Sequence, residues 1–220
     1  MGEHSRRLSK ALAAELALVG LLIGYGPFAV FRLVLLLLLA SQSLWIRGLG
    51  WSTVGLNRPP GLYHTALQGL VGGLLILVLG RLVIFPVSVW LTGSPIDLAP
   101  LGELEDTRRW ITWMLYAWTL AAFGEEMVFR GYLIRRLVDL WGTTPIAWTL
   151  AVLGSGAAFG LAHSYQGPAG ILATAVVGVL MGLLYLFAGQ NLWAVIIAHA
   201  TVDTVALSAI HFGHRSLVLP

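Results

Sequence analysis

The sequence predicts an all-α protein, a polytopic transmembrane bundle of six to seven membrane helices. Hydrophobic residues make up 58% of the 220 residues and charged residues only 10%, whereas soluble domains average about 25% charged residues. The mean hydropathy is +0.84. No strand-like alternation of polar and apolar residues appears, and a backbone in lipid must satisfy its own hydrogen bonds, so the hydrophobic runs are expected to be helices.

The hydrophobic runs give the order of the helices. The first run, residues 11–46, is broken near Gly24-Tyr25-Gly26-Pro27, where glycine and proline favour a turn, so it provides one or two crossings. The other runs cover residues 63–92, 109–127, 145–163, 169–188 and 192–211, each near or above the roughly 20 residues that cross a hydrocarbon core. A chain of 220 residues suits one compact bundle without a separate soluble domain.

Charge and cysteine content exclude several functional classes. The net charge of +3 arises from 13 basic residues spread among loops and helix ends, a distribution that indicates membrane topology and not nucleic-acid binding. Membrane lipid is therefore the expected surrounding partner. Cysteine is absent, which excludes disulfides, a thiol nucleophile and a thiolate metal site.

Two acids and one arginine lie within the apolar part of the chain. An acid in a membrane core costs several kcal/mol unless it is paired or hydrated, so it predicts a functional site. Glu126 and Arg130 are four residues apart, acid first, which predicts an ion pair on one helix face. Glu125 points about 100° away around the helix, free to act as a base. The alternative is an ion pair at the membrane surface, with Glu125 simply in water.

Two histidines lie in later apolar runs. His163 follows Phe159 by four residues, among small residues that allow close helix packing, although a lone histidine here is more often an interfacial hydrogen-bonding residue. Asp203 follows His199 by four residues, so it can orient the imidazole or join it as a ligand. The alternative for this pair is a buried structural hydrogen bond. Carboxylates and two histidines together are the groups needed to activate a water molecule.

The three motifs in combination are more specific than any one of them. Glu125-Glu126-Met127-Val128-Phe129-Arg130, then Phe159-x-x-x-His163, then His199-x-x-x-Asp203 resemble the signature motifs of the CPBP family. Its members are intramembrane proteases related to type II CAAX prenyl endopeptidases and to bacteriocin-processing and self-immunity proteins. The resemblance covers roughly residues 62–212. We therefore expect variable N-terminal membrane helices and a basic loop over residues 1–60, and a CPBP-type protease core over residues 61–220.

The resemblance implies an intramembrane endopeptidase of a prokaryotic cytoplasmic membrane. Its substrate would be a membrane-associated peptide or protein, prenylated or signal-like. Glu125 would be the general base that takes a proton from water, and His163 would help to hold that water. His199 and Asp203 would complete the pocket and stabilise the oxyanion.

The resemblance assigns Glu126 and Arg130 a supporting part in the catalytic set, in which they lock the helix and its hydrogen bonds. Metal use is left open. Glu125, His163 and His199 can form a two-histidine, one-carboxylate set for a divalent metal such as zinc, with water in the open position. The same residues could equally activate water without a metal.

Other classes of function are alternatives. The main one is a catalytically idle scaffold or assembly subunit of a larger membrane complex, since small-residue faces such as Gly178-Val179-Leu180-Met181-Gly182 suit a helix-packing partner or an oligomer. A transporter is less well supported, because no internal repeat or matched pair of broken helices appears. Ser155 does not fit a membrane serine-protease loop, because Leu153 stands where that loop needs glycine.

Overall fold

The computed structural model describes residues 3–24, 29–59, 61–101, 104–214 and 216. These residues form helices, turns and loops without any strand, which confirms the predicted all-α class. The predicted break at residues 24–27 falls between two helices, the first of which ends at Gly24. Residues 25–28 themselves lie outside the described residues.

The described residues form seven helices, which we number in chain order. They are α1 (Glu3–Gly24), α2 (Ala29–Ile46), α3 (Leu62–Thr92), α4 (residues 107–141), α5 (Pro145–Ala162), α6 (Gly167–Phe187) and α7 (Leu192–His211). Short 3-10 turns lie in the connections, at Trp51–Val54, Ala99–Leu101 and Ser164–Gln166. The ends of α3, α5, α6 and α7 agree with the predicted hydrophobic runs to within two residues.

Four helical stretches of the described residues are long and apolar enough to cross a membrane. They are Leu62–Thr92, Pro145–Ala162, Ser164–Phe187 and Leu192–His211, and Phe31–Ile46 within α2 is a shorter apolar helix. The chain is therefore an integral membrane protein. The number of six to seven membrane helices stays a prediction.

Polar side chains cap the N-terminal ends of α4, α5 and α7. Asp106 and Thr144 precede α4 and α5, and their side-chain oxygens accept hydrogen bonds from the backbone N–H groups of Arg109 (2.9 Å) and Ala147 (3.2 Å). Asn191 precedes α7 and accepts from the backbone N–H two residues later, at 3.0 Å. These caps satisfy donors that the first helical turn leaves without partners, so each helix begins at a defined residue.

α4 is longer than the sequence predicts, and part of it is wound as a wider π-helix. The predicted run 109–127 was wrong at its far end, because the helix continues past its charged residues to residue 141. Ala117–Glu125 and Met127–Leu133 are wound as π-helix, a form often found at functional sites. A wider turn leaves backbone carbonyls without their usual α-helical donors, and the buried Ser155 hydroxyl donates to the Phe129 carbonyl at 2.8 Å. Ser155 thus supports the backbone of α4 from α5.

α4 lies between the N-terminal helices and α7. One apolar cluster joins Val19 and Ile23 of α1, Leu33 and Leu36 of α2, and Phe129 of α4. On its other side α4 packs against α7. The residues of α4 are consequently screened from lipid along most of the segment that carries Glu125, Glu126 and Arg130.

Glycines allow two helix pairs to pack at close range. A Cβ atom added to Gly73 of α3 would lie 2.6 Å from the Ala198 carbonyl oxygen of α7. A Cβ atom added to Gly156 of α5 would lie 2.5 Å from the Val179 Cγ2 atom and 2.9 Å from the Val179 backbone nitrogen of α6. Small residues at helix contacts are what membrane bundles use to bring backbones together. The Gly73 contact also fixes α7 directly beside His199.

We expect Gly156→Ala to destabilise the bundle by about 1–3 kcal/mol, because the new methyl group overlaps with backbone atoms of α6 that have no room to shift. Gly154→Ala is the matched control on the same helix. Its added Cβ would lie 3.5 Å from the Leu137 Cδ1 atom, an ordinary contact. Thermal unfolding of both variants in detergent checks the prediction, and equal melting temperatures would contradict it.

Candidate functional site

A cavity of about 230 Å³ lies among α3, α4, α5, α6 and α7. Most of its wall is apolar, formed by residues such as Trp113, Val177 and Met181. Four of the predicted site residues line it together, and these are Glu125, His163, His199 and Asp203. The other two, Glu126 and Arg130, are 0% exposed and lie behind the wall.

The Glu126 carboxylate binds two side chains at once. Its Oε1 atom accepts from Arg130 Nη1 at 2.8 Å, so the ion pair predicted from the spacing is present. The same oxygen also accepts from His199 Nδ1 at 2.7 Å. This second bond, which the sequence does not reveal, connects α4 to a residue 73 positions later in α7. A carboxylate with both bonds is fixed in orientation, and it fixes the imidazole in turn.

Arg130 extends the contacts of Glu126 to two further helices. Its Nη2 atom donates to the Gly178 carbonyl oxygen of α6 at 3.2 Å. Its guanidinium carbon lies 4.4 Å from the centre of the Phe159 ring of α5, in cation–π range. The buried charge is thereby matched by an anion, a carbonyl and an aromatic face. Arg130 and Glu126 together therefore connect four helices behind the cavity, α4, α5, α6 and α7.

His199 lies between two carboxylates. Its Nδ1 atom bonds Glu126, and its Nε2 atom lies 3.5 Å from Asp203 Oδ2, a long and weak contact. Both ring nitrogens can donate only when the imidazole is protonated. Asp203 is 27% exposed, so it is reachable from the cavity. The arrangement leaves the Nε2 edge of His199 turned toward the cavity, with only a weak protein partner.

His163 lies just after α5, as the capping residue at its end. Its Nδ1 atom is 2.8 Å from the Phe159 carbonyl oxygen. A carbonyl can only accept, so Nδ1 carries the proton, and in the neutral ring Nε2 is an acceptor. Because His163 lines the cavity, this acceptor is available to a water or a substrate group.

The Glu125 carboxylate has a different environment from that of Glu126. Its Oε2 atom is buried without a hydrogen-bond partner among the described residues, as the Oε2 atom of Glu126 also is, but unlike Glu126 it forms no ion pair there. A buried carboxylate oxygen without a donor is costly unless something else binds it. Glu125 is thus the acid of the cavity that has unused capacity to accept a proton or a hydrogen bond.

Three aromatic residues line the site although the sequence did not mark them as site residues. Phe159 served there only as a spacing marker, yet its ring lies 4.5 Å from the His163 ring and 6.0 Å from the His199 ring. Tyr116 and Tyr165 also line the cavity. Their hydroxyl groups in an apolar stretch were the available signal, but tyrosine is common at membrane interfaces and the signal is weak.

The three predicted metal ligands, Glu125, His163 and His199, line the same cavity. Across the described ranges there is no group of three or more His, Asp or Glu side chains placed to hold a metal ion. His199 Nδ1 is bonded to Glu126, and Nε2, 3.5 Å from Asp203, is the nitrogen left to face the cavity that Glu125 and His163 also line. The set of Glu125, His163 and His199 as zinc ligands therefore stays a prediction, and no chemical step is derived from it.

A family model matches residues 107–205 of the chain, and it is described as type II CAAX prenyl endopeptidase Rce1-like. The matched segment begins at the start of α4 and ends within α7, so it contains all six predicted site residues. No curated protein and no solved structure matches the chain. The boundary at residues 60–61 falls outside the matched segment and stays a prediction.

We expect Glu126→Gln to lower the free energy of unfolding by roughly 3–5 kcal/mol, because it leaves Arg130 buried without an anion and releases His199. Glu125→Gln is the matched control, because it removes the neighbouring charge where no ion pair is formed among the described residues. Thermal or denaturant unfolding in detergent measures both variants. If the two substitutions had equal effects on stability, the assigned division between the glutamates would be wrong.

Proposed function

Because the chain belongs to the CPBP family, we propose that it is an intramembrane endopeptidase that hydrolyses a peptide bond of a membrane-associated substrate, prenylated or signal-like. The family implies a protease. The proposed mechanism rests on one observation. The Glu125 carboxylate, whose Oε2 atom has no hydrogen-bond partner among the described residues, lines the same apolar cavity as His163 and His199, as an acid–base site for water requires.

In the first step Glu125 acts as the general base. A water molecule bound between Glu125 and His163 Nε2 gives one proton to the Glu125 carboxylate while its oxygen attacks the peptide carbonyl carbon. His163 accepts the other hydrogen of the water in a hydrogen bond, for which the proton on Nδ1 leaves Nε2 in the correct state. The apolar walls keep other water away, which strengthens these polar contacts.

His199 stabilises the tetrahedral intermediate. Attack of water turns the carbonyl oxygen into an oxyanion, and the protonated Nε2 of His199 donates to it. Glu126 holds the imidazole from the opposite side at 2.7 Å, so the donor is oriented before the reaction starts. Asp203, 3.5 Å from Nε2, supports the protonated ring and releases it to the substrate. Arg130 acts through Glu126 as a positioning residue.

The second step returns the proton. The C–N bond of the intermediate breaks, and Glu125 gives its proton to the leaving amine nitrogen. The new carboxylic acid then passes its hydroxyl proton to the amine, so the products are a peptide with a new carboxylate and a peptide with a new ammonium group, and the enzyme returns to its starting state. No oxidant, reductant or further reactant is needed.

The proposal extends to the surroundings of the site. The mostly apolar cavity wall and the lipid-facing helices favour a substrate that reaches the site from the membrane. We assign the protein to a prokaryotic cytoplasmic membrane, with residues 61–220 as the protease core and residues 1–60 as its leading unit. A scaffold without catalysis is the outcome that the cleavage experiments below would reveal.

We expect Glu125→Gln to abolish cleavage while the variant folds normally, since the amide keeps the size of the side chain but cannot take a proton. Purified protein in lipid nanodiscs is incubated with a fluorescently labelled membrane peptide, and products are identified by mass spectrometry. Wild-type activity in Glu125→Gln would remove the general base from the proposal.

The scaffold alternative has its own decisive result. Absence of cleavage of any candidate peptide by wild-type protein, together with full rescue of a deletion strain by the double variant Glu125→Ala, His199→Ala, would replace the enzyme with a scaffold. Rescue by wild-type protein but not by this double variant is expected from an enzyme.

We expect cleavage to be unaffected by a chelator, because no group of three or more His, Asp or Glu side chains is placed to hold a metal ion among the described residues. The measurement is the cleavage rate after dialysis against EDTA or phenanthroline, with added zinc as the reverse test. Loss of activity on chelation and its recovery with zinc would mean that Glu125, His163 and His199 regroup around a metal, because metal ligands are the groups that such treatment affects.

A further inference from the structure

A second and smaller cavity, of about 40 Å³, lies beside the proposed water site on the side of α1 and α2. It shares four lining residues with the larger cavity, namely Tyr116, Glu125, His163 and Tyr165. The additional charged residue in its wall is Arg32 of α2. A group bound at Arg32 would therefore lie next to the carboxylate and the imidazole that we propose to activate water.

Arg32 has unusually few partners for an arginine within an apolar helix. Its Nη1 atom donates to the Ile23 carbonyl oxygen of α1 at 3.1 Å. Its Nε atom is buried and has no acceptor among the described residues, and no ion pair is formed by Arg32 there. A cation in such surroundings is costly, and membrane proteins retain one mainly where it performs a function.

The free part of the guanidinium has a defined shape. With Nη1 bonded to Ile23, the remaining edge carries the Nε and Nη2 hydrogens, which point side by side. Two parallel N–H donors match the two oxygens of a carboxylate, the bidentate geometry that distinguishes arginine from lysine. Glu125 lines the same cavity but is not within ion-pair distance of Arg32. Arg32 thus lines the cavity without an anion among the described residues, and a carboxylate brought there by another molecule can pair with it.

We propose that Arg32 binds a carboxylate of the peptide substrate, at its C-terminus or on an acidic side chain, and so determines which peptide bond lies over Glu125. This inference rests on the proposed function. The volume of about 40 Å³ exceeds the roughly 10–15 Å³ that holds one water molecule, so it suits a small group of a few heavy atoms such as a carboxylate. Arg32 would be a specificity-determining residue supplied by the leading helices.

Binding of peptides to the Glu125→Gln variant tests the proposal without requiring cleavage. The protein is placed in nanodiscs of zwitterionic lipid and titrated with fluorescent peptides of one sequence in four forms, with a free or amidated C-terminus and with glutamate or glutamine as the single acidic residue. We expect removal of one of the two carboxylates to weaken binding about ten- to a hundredfold, the range of a charge-assisted pair. The carboxylate whose removal matters is the one that Arg32 binds.

Arginine variants connect the effect to this side chain. Arg32→Gln should abolish the difference between the carboxylate and amide peptides, while Arg32→Lys should keep only part of it, because lysine has the charge but not the two-donor edge. Arg81→Gln is the control. Arg81 lies in α3 outside both cavities and donates from Nε to the Ser216 carbonyl oxygen at 2.8 Å, so its loss should leave all four affinities unchanged.

Several results would overturn the inference, and they differ from those that would overturn the proposed function. Equal binding of all four peptides to the Glu125→Gln protein, which keeps Arg32, would disprove the inference. This result does not depend on whether cleavage is observed or on whether Arg32→Gln folds. If Arg32→Gln weakened the binding of all four peptides equally, Arg32 would have a structural role only. Competition by anionic lipid vesicles, with no dependence on peptide carboxylates, would assign the edge to lipid. Carboxylate-dependent binding, together with the absence of cleavage by wild-type protein, would support the inference and contradict the proposed protease function.

Discussion

The contact of one buried oxygen of Glu126 with both Arg130 and His199 is the interaction on which the rest of the site depends. Arg130 and His199 both donate to Oε1, at 2.8 and 2.7 Å. Taking the charges of Glu126 and Arg130 out of water is expensive, and only their mutual contact makes the burial tolerable. The same contact orients the imidazole toward the cavity and holds α4 against α7. Stability and the geometry of the proposed chemistry therefore have a common origin.

The neighbouring glutamates show how one helix gives two identical side chains different environments. One oxygen of Glu126 accepts from both Arg130 and His199, whereas Glu125 lines the cavity and forms no ion pair among the described residues. The π-helical turns on either side of Glu126 belong to the same segment, and Ser155 supports one of the carbonyls in it. Glu126 thus serves as a support and Glu125 as the reactive group of the proposed site.

Much of the fold could be predicted from the sequence, because α3 and α5 to α7 are apolar runs with clear ends such as Pro145 and Asn191. The extent of α4 could not, since hydropathy treats Glu125 to Arg130 as the end of a run, whereas their contacts with α6 and α7 let the helix continue. The spacing of Glu126 and Arg130 predicted their pair. The bond to His199 and the cavity at Arg32 depend on contacts between distant segments, which spacing alone does not reveal.

The central claim is that water, activated by Glu125, attacks the peptide bond directly. A single turnover with enzyme in excess, in water enriched in oxygen-18, tests it most directly. The account predicts that the new carboxylate of the product carries one heavy oxygen after this first turnover and that Glu125 carries none. If Glu125 instead attacked the carbonyl as a nucleophile, water opening the resulting anhydride at the Glu125 carbon would leave the first product unlabelled and place the label in Glu125. Unlabelled product with labelled Glu125 would contradict the account.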